Sequence, residues 1–260
     1  MSALDAAVAV AREHGLRVDE PHVLKDSHNL VVHLAPSPVV ARIGQAMAEL
    51  RPGIRGRELE VIRWLVERNA PVLAPIHDAV LERDGYDITL WPYVEPREAD
   101  GAAAGQALVE VRTALAGCPS LGGFWPLTEM RMLIERLGLP PAVEAARAYV
   151  EAELRYDPVG LHGDAHLRNC LFTEEGPRWA DLEDSCSGPS EWDASCLAAH
   201  IRRNPGDVEH RAALERLGIG DERRFELLAL LRGVVIVTWS AFAYGIDDED
   251  EVEWLRQNTP

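Results

Sequence analysis

The stretch LHGDAHLRNCLF, residues 161–172, places Asn169 five positions after Asp164. A second stretch, WADLED at 179–184, follows and carries Asp181 at what reads as the end of a short strand. Magnesium binds hard oxygen ligands, usually one or two carboxylates together with phosphate oxygens and waters. The carboxylate of Asp181 and the amide oxygen of Asn169 meet that demand, and Asp164 is placed to orient an attacking hydroxyl. The pattern therefore predicts a site for phosphoryl transfer.

The same residues match the catalytic loop of kinase-like enzymes. Protein kinases carry H-R-D-x-x-x-x-N, in which the aspartate accepts the proton of the substrate hydroxyl and the asparagine binds a metal ion. Here His162, Gly163, Asp164 and Asn169 give H-G-D-x-x-x-x-N, which resembles the loop of the aminoglycoside phosphotransferase and choline kinase-like family. The resemblance implies that Asp164 is the catalytic residue and Asn169 a metal ligand.

Two further segments carry the resemblance. Residues 181–184 are similar to the family's I-D-[FW]-E-D segment, which implies that Asp181 is the second metal ligand. Residues 188–193 are similar to its G-D-P-x-x-D-L-A segment, which implies that Asp193 is a structural aspartate tying the catalytic loop to the following helix. All three segments follow the family's order, which argues against chance agreement.

The resemblance implies an α+β, bilobal, protein-kinase-like fold. We expect a small N-terminal, nucleotide-binding lobe of antiparallel β-sheet plus helix over residues 1–91, a hinge at 92–96, and a larger, mainly helical lobe with the substrate site over 97–260. Residue patterns agree with this division. Strands are predicted at 22–24, 30–34, 39–43, 79–81 and 86–91. Helices are predicted at 3–14, 57–67, 98–115, 128–137, 141–156, 190–203 and 221–243.

Two segments are predicted to bind the nucleotide. The turn at 25–29 lacks a G-x-G-x-x-G motif, so the resemblance implies that backbone N–H groups and the small side chains of Ser27 and Asn29 meet the phosphates. An ordinary polar hairpin turn is the alternative. In the hinge, the carbonyl of Pro92 and the N–H of Val94 are expected to bond the adenine edge.

Arg42 stands in the third predicted strand, where kinase-like enzymes carry the lysine that contacts the nucleotide phosphates. A guanidinium fork binds phosphate oxygens with a different geometry, and a surface arginine is the alternative. The helix at 57–67 is similar to the family's r-E-x-x-x-L-x-x-L helix, which implies that Glu58 pairs with Arg42 and holds it against the phosphates. Glu60 is the competing partner.

Charge and composition limit the classes of partner. The 260 residues carry a net charge of −17, which disfavours binding to a nucleic-acid backbone and suits a cationic small molecule. We find no apolar run of membrane-spanning length and no basic-then-apolar leader, so we expect a cytoplasmic protein without a membrane partner. The cysteines are expected to be reduced, since they form neither a C-x-x-C pair nor a disulfide framework. They are Cys118, Cys170, Cys186 and Cys196.

The predicted reaction moves the terminal phosphate of ATP or GTP, with Mg²⁺, onto a hydroxyl of a small molecule. An aminoglycoside or other aminosugar is the leading acceptor, and choline-like alcohols, other sugars and macrolides remain open. Amino groups of such an acceptor could meet Glu183, Asp184 or the acidic run at 247–251, although a solvated acidic tail also explains that run.

Two other classes of protein are compatible with parts of the sequence. A non-catalytic nucleotide-binding regulator would explain the missing glycine-rich loop and the arginine at position 42. A metal-dependent hydrolase would use His162, Asp164 and His166 as ligands along an extended segment.

Overall fold

The computed structural model of the chain describes residues 1–27, 29–44 and 51–260. A five-stranded antiparallel sheet, in the order β1-β2-β3-β5-β4, forms the N-terminal lobe. Its strands are β1 (Val18–Asp26), β2 (Asn29–Pro36), β3 (Val39–Gly44), β4 (Leu81–Arg83) and β5 (Tyr86–Pro92). Two short ribbons follow in the C-terminal lobe: β6 (Val159–Leu161) pairs with β9 (Cys186–Gly188), and β7 (Cys170–Thr173) pairs with β8 (Gly176–Trp179).

Helices make up most of the rest. Two belong to the N-terminal part, α1 (Ala3–Glu13) and α2 (Ile54–Val66). The C-terminal lobe contains α3 (Gly101–Ala114), α4 (Trp125–Leu137), α5 (Pro141–Glu153), α6 (Trp192–Arg203), α7 (Val208–Leu217), α8 (Glu222–Tyr244) and α9 (Glu249–Asn258). The predicted α+β fold, with a small antiparallel sheet followed by a mainly helical part, is confirmed.

The small lobe has its own apolar core between α1 and the sheet. Alternate residues of β2, Leu30, Val32 and Leu34, point inward, as the two-residue period of a strand requires. They pack with Ile43 and Ile88 from the neighbouring strands. Helix α1 covers this face and begins with a capping box in which Ser2 Oγ accepts the Asp5 N–H at 3.1 Å.

The larger core continues from α2 into the helical lobe. Leu59, Ile62 and Leu65 of α2 belong to the same buried cluster as Trp179 at the end of β8. Trp179 is fully buried, and its carbonyl accepts the Leu73 N–H at 2.8 Å. The segment after α2 is thereby fastened to the strand that leads into Asp181, so the sheet side and the helical side of the site are joined.

Helix α8 is the central helix of the larger lobe and packs against α4, α5, α6 and α9. It is long and apolar enough to cross a membrane by length and composition, and half of its most apolar window is buried inside the protein. The expectation that no apolar run reaches that length was therefore wrong. A buried core helix meets the same criterion, and α8 occupies that position.

Two helices were missed by the sequence prediction. Helix α7 is capped by Asp207, whose side chain accepts the His210 N–H at 3.0 Å. Helix α9 includes most of the acidic run that also reads as a solvated tail: Asp248 caps it, and acidic residues fill its first turn. Negative charge at a helix N-terminus is stabilised by the helix dipole, so the run favours a helix start.

The close packing of α3 on α7 makes Gly105 a testable position. A Cβ at Gly105 would lie 2.5 Å from the carbonyl oxygen of Ala213, whereas one at Gly56 in α2 would meet open space. We expect Gly105→Ala to lower the free energy of unfolding by about 1–3 kcal/mol. Gly56→Ala, the matched control, should raise it by about 0.5–1 kcal/mol. Urea denaturation measures both, and equal stabilities for the two variants would contradict the described packing.

Candidate active site

The catalytic loop is held by one buried carboxylate. Asp193, in the first turn of α6, accepts the His162 N–H at 3.1 Å and the Gly163 N–H at 3.0 Å. The neighbouring Trp192 indole N–H donates to the Gly163 carbonyl at 2.7 Å. Asp193 is completely buried, so both of its oxygens are used to fix the loop backbone. This confirms its predicted structural role.

His162 is a structural residue in this loop. Its Nε2 donates to the Ala180 carbonyl at 3.1 Å, and its Nδ1 accepts the Asp164 N–H at 3.3 Å. Burial lowers the pKa of His162, which keeps the imidazole neutral. Both ring nitrogens are therefore occupied by protein groups. The hydrolase alternative needs His162 as a metal ligand, but neither of its ring nitrogens is free to bind a metal ion.

Gly163 cannot be replaced without moving the loop. Its φ of +92° lies in the left-handed region, and a Cβ there would stand 2.0 Å from the carbonyl oxygen of Asp184. The glycine of the H-G-D motif is thus required because the catalytic loop passes directly against the segment that follows Asp181.

Asp164 is surrounded by donors. Its Oδ1 accepts from Arg232 Nη2 at 2.7 Å, and its Oδ2 lies 3.3 Å from both His166 Nε2 and Asn169 Nδ2. Burial alone would raise the pKa of this carboxyl, but the charges of Arg232 and His166 outweigh it and hold the pKa well below its ordinary value. Asp164 is therefore ionised at neutral pH and able to accept a hydrogen bond from a hydroxyl.

Asn169 and Asp181 supply oxygen atoms beside Asp164. The Asn169 amide N–H₂ also donates to the Asp164 carbonyl at 3.0 Å, which leaves the amide oxygen as its remaining polar atom. Asp181 takes a left-handed conformation, with φ of +59°, and one of its carboxylate oxygens contacts Arg42. Both residues line the same cavity as Asp164. A carboxylate and an amide oxygen are a donor set that fits magnesium.

Arg42 is bound by three carboxylates. Its Nη1 lies 2.7 Å from Glu58 Oε1, and its Nη2 lies 2.9 Å from Glu183 Oε2 and also contacts Asp181. Burial disfavours the charge of Arg42, but the carboxylates outweigh it and raise the pKa of the guanidinium. The predicted pair with Glu58 is confirmed, and the competing Glu60 is exposed and accepts a hydrogen bond from Ser120.

A second arginine completes this cluster. Arg55 Nη1 lies 2.7 Å from Glu183 Oε2 and 3.2 Å from Glu58 Oε2, and Arg55 Nη2 donates to the Asn29 amide oxygen. Burial raises the pKa of Glu58 even against these cations, because the side chain has no contact with solvent. We call Arg42, Arg55, Glu58, Asp181 and Glu183 the interlobe charge cluster.

The other predicted nucleotide-binding residues are not among those that line the described cavity. Asn29 is 2% exposed, and its amide N–H₂ donates to Glu183 at 3.4 Å, so its side chain belongs to the interior. Ser27 lies at the end of the turn and donates to the Asn29 carbonyl. Pro92 ends β5, and the Val94 N–H makes no hydrogen bond with any described residue. Their contacts with a nucleotide stay predictions, as does the hinge at 92–96.

The cavity occupies about 870 Å³ between the catalytic loop and α8. Asp164, Asn169 and Asp181 lie on one side, and β1 contributes Leu24 and Lys25. The sequence patterns did not point to Lys25, nor to the arginines that α6 and α8 contribute, Arg203 and Arg232. Lys25 is the only lysine of the chain, and this rarity is the sequence feature that could have pointed to it as a site residue.

Several carboxylates proposed for amine recognition are already paired with arginines. Asp184 lies 2.5 Å from Arg51 Nη1, and Arg51 also binds Glu129 at 2.6 Å. In the acidic run, Asp248 pairs with Arg203 at 2.8 Å, and Glu251 pairs with Arg202 at 2.5 Å. Glu183 belongs to the interlobe charge cluster.

The chain resembles known proteins in both sequence and fold. Residues 23–228 match the model of the phosphotransferase enzyme family, APH, and the chain belongs to that family. No curated protein sequence matches the chain.

Solved structures of similar fold cover nearly the whole chain. The amicoumacin kinase hAmiN, in complex with AMP-PNP, Ca²⁺ and Ami, is 16% identical, with a TM-score of 0.71 over 96% of this chain and 91% of its own. The choline kinase LicA from Streptococcus pneumoniae is 15% identical, with a TM-score of 0.70 over 96% of both chains. A GDP and kanamycin complex of an APH(2″) enzyme is 16% identical, with a TM-score of 0.68 over 99% and 98%. At these identities the similarity shows the fold.

The interlobe charge cluster generates a stability prediction. Arg42→Met removes a buried cation and leaves Glu58, which is completely buried, with only the longer contact to Arg55. We expect the free energy of unfolding to fall by about 3 kcal/mol in urea denaturation. Arg63→Met, at an exposed position of α2, is the control and should change it by less than about 0.5 kcal/mol. A similar small change for Arg42→Met would contradict the described cluster.

The pKa of Asp164 generates a pH prediction. The pKa of Asp164 in the folded protein lies below its ordinary value of 3.8, so the ionised carboxylate stabilises the fold at pH values above 3.8. This stabilisation is lost as the pH falls through the folded pKa. The difference in unfolding free energy between the protein and Asp164→Asn should therefore shrink between about pH 5 and pH 2. Asp157→Asn, at an exposed aspartate, is the control for the loss of one surface carboxylate in the same urea titrations. A difference for Asp164→Asn that grows on acidification would contradict the ion pairing.

Proposed function

We propose that the protein transfers the terminal phosphate of ATP or GTP, with magnesium, to a hydroxyl of a small molecule bound in the cavity. The observation that carries this proposal is that Asp164, Asn169 and Asp181 line one cavity of about 870 Å³. Family membership and the similar kinase structures support a small-molecule phosphotransferase.

Each residue has a role that its contacts support. Asp164 is ionised and accepts a hydrogen bond from the acceptor hydroxyl, whose oxygen attacks the terminal phosphorus while its proton passes to the carboxylate. The bond from that phosphorus to the bridging oxygen breaks, and ADP or GDP leaves. Asn169 and Asp181 would hold magnesium, which neutralises charge on the phosphate oxygens. Arg42 positions Asp181, because it contacts that carboxylate and is itself held by Glu58.

The acceptor is the finer part of the proposal. An aminoglycoside or other aminosugar is the acceptor suggested by the sequence, with choline-like alcohols, other sugars and macrolides as alternatives. Similar structures contain kanamycin or amicoumacin, which supports a small-molecule acceptor as a class. The charge of that acceptor depends on the residues that line the cavity.

A cytoplasmic location fits this proposal, because nucleoside triphosphates and magnesium are supplied there. The four cysteines are buried and free, which agrees with a reducing compartment. Burial raises the pKa of Cys170 to about 12, so this thiol is unreactive at neutral pH.

A transfer assay read by mass spectrometry tests the proposal. Purified protein is incubated with magnesium, ATP or GTP, and a panel containing aminoglycosides, aminosugars, choline, neutral alcohols and anionic alcohols. We expect one acceptor class to gain a single phosphate, at a rate reduced roughly 10²–10⁴-fold in Asp164→Asn, since that variant removes the hydroxyl-orienting carboxylate. Asp157→Asn serves as the control for the loss of one exposed surface charge.

Two results would count against the proposal. An unchanged rate in Asp164→Asn would remove Asp164 from the reaction. Nucleotide binding without transfer to any acceptor would favour the non-catalytic regulator instead, because that class binds nucleotide with the same residues and completes no reaction.

A further inference from the structure

The cavity has two sides of different chemistry. The side away from the catalytic residues indicates the charge of the phosphate acceptor, an inference that rests on the proposed function. The catalytic side comes from the catalytic loop and residues 181–184. The acceptor side comes from α6, the residue after it, and α8.

The acceptor side contains cationic but no acidic residues among the described lining. Helix α8 contributes Arg232, and the end of α6 contributes Arg203. The four carboxylates that line the cavity all belong to the catalytic side: Asp164, Asp181, Glu183 and Asp184. Each of them contacts at least one arginine. A polycationic acceptor would therefore find no carboxylate on the acceptor side to bind its amines.

Arg232 is the residue best placed to bind an acceptor. Its side chain is 10% exposed and lies beside the Trp192 ring, with the guanidinium carbon 5.9 Å from the ring centre. Its Nη2 donates to Asp164 at 2.7 Å, and its Nε has no partner among the described residues. A guanidinium carries five N–H donors, so most of this group's hydrogen-bonding capacity remains unused.

A buried guanidinium selects strongly by charge. It binds a carboxylate or phosphate through short, charge-assisted hydrogen bonds, and it repels an ammonium group brought into the same poorly solvated space. Arg168 also lines the cavity, is exposed, and forms no ion pair with a described residue. Arg168 belongs to the catalytic loop, and Arg203 is already paired with Asp248, so Arg232 is the cation through which the acceptor side would meet an acceptor.

An apolar strip continues from Arg232 along α8. Val235, Ile236, Trp239 and Ala243 line the cavity at helical spacing, on the face that follows Arg232 toward the C-terminal end of the helix. Removing apolar surface from water is favourable, so an acceptor with an apolar segment would bind more tightly by covering this strip.

We propose that the acceptor is an anionic alcohol: a small molecule with a carboxylate or phosphate group a few bonds from its hydroxyl, and with an apolar segment. Arg232 binds the anionic group, Asp164 binds the hydroxyl, and the apolar strip of α8 covers the segment. The short separation follows from the 2.7 Å contact between Arg232 and Asp164, which brings the two binding groups close together. Binding of the anion also draws Arg232 toward the acceptor and leaves Asp164 free to orient the hydroxyl.

Four matched probes test the charge preference. They are 3-hydroxyoctanoate, octane-1,3-diol 1-phosphate, 3-hydroxyoctanamide and 1-aminooctan-3-ol, which share a chain and a hydroxyl and differ in the charged group. Calorimetric titration into the protein with magnesium and AMP-PNP measures their affinities. We expect at least one anionic probe to bind tenfold or more tightly than the amine, with the neutral amide between them. The better of the two anions identifies whether a carboxylate or a phosphate is preferred.

Variants assign the preference to Arg232. Arg232→Gln should reduce the ratio of anion to amine affinity to less than about threefold, whereas Arg232→Lys should keep the anion ahead. Arg223→Gln, at an exposed arginine near the start of α8, is the matched control and should leave the ratio unchanged. Circular dichroism melting confirms that each variant is folded before its ratio is compared.

The outcomes separate this inference from the proposed function. An amine that binds as tightly as the anions, a panel in which no probe shows charge discrimination, or an unchanged ratio in Arg232→Gln would overturn the anionic acceptor. The same four probes are then incubated with ATP and magnesium. Anion-selective binding without phosphate transfer would support the role of Arg232 and count against the proposed phosphotransferase activity. Phosphate transfer to the amine ahead of the anions would support the phosphotransferase activity and overturn the anionic acceptor.

Discussion

The architecture of the site depends on the interlobe charge cluster. Arg42 comes from the sheet, Arg55 and Glu58 come from α2, and Asp181 and Glu183 come from the segment after β8. All of these side chains except the partly exposed Asp181 are buried, and removing a charge from water is costly unless a partner of opposite sign replaces the solvent. The five side chains therefore require one another, and the arrangement that satisfies them fixes the carboxylate of Asp181 relative to the sheet. The contacts that join the sheet, α2 and the segment after β8 therefore also position the proposed metal ligand, Asp181.

The catalytic loop is fixed by a different, more local device. Asp193 binds two consecutive backbone N–H groups, His162 bonds on both of its ring nitrogens, and Gly163 permits a close backbone approach. These contacts use no atom of the Asp164 side chain. That carboxylate is consequently left to groups that face the cavity, Arg232 among them. Rigid backbone support combined with an adaptable side chain is what the orientation of a hydroxyl requires.

Sequence analysis predicted the features that depend on short spacing. The catalytic loop, the structural aspartate and the pair of Arg42 with Glu58 all follow from motifs within continuous segments, and the structure confirms their contacts. Arg232 could not be found this way, because it lies 68 positions from Asp164 and only the packing of α8 brings them together. The arginines that pair with the acidic residues could not be predicted from the sequence either, because these pairs also form only in the folded chain. The composition gives a net charge of −17, but the charge inside the cavity depends on which carboxylates are already paired. Helix α9 was missed because an acidic run reads equally well as a tail and as a helix start.

The most direct test of the account compares magnesium-dependent nucleotide binding in variants of the three cavity residues. Calorimetric titration of ATP or GTP, with and without magnesium, should show tight binding that depends on the metal. Asp181→Asn should lose that dependence because it removes the negative charge of the carboxylate, and Asn169→Ala should lose it because it removes the amide oxygen. Asp164→Asn should keep it because this carboxylate serves the acceptor hydroxyl. Binding that is independent of magnesium, or that survives Asp181→Asn unchanged, would contradict the assignment of this cavity as a phosphotransferase site.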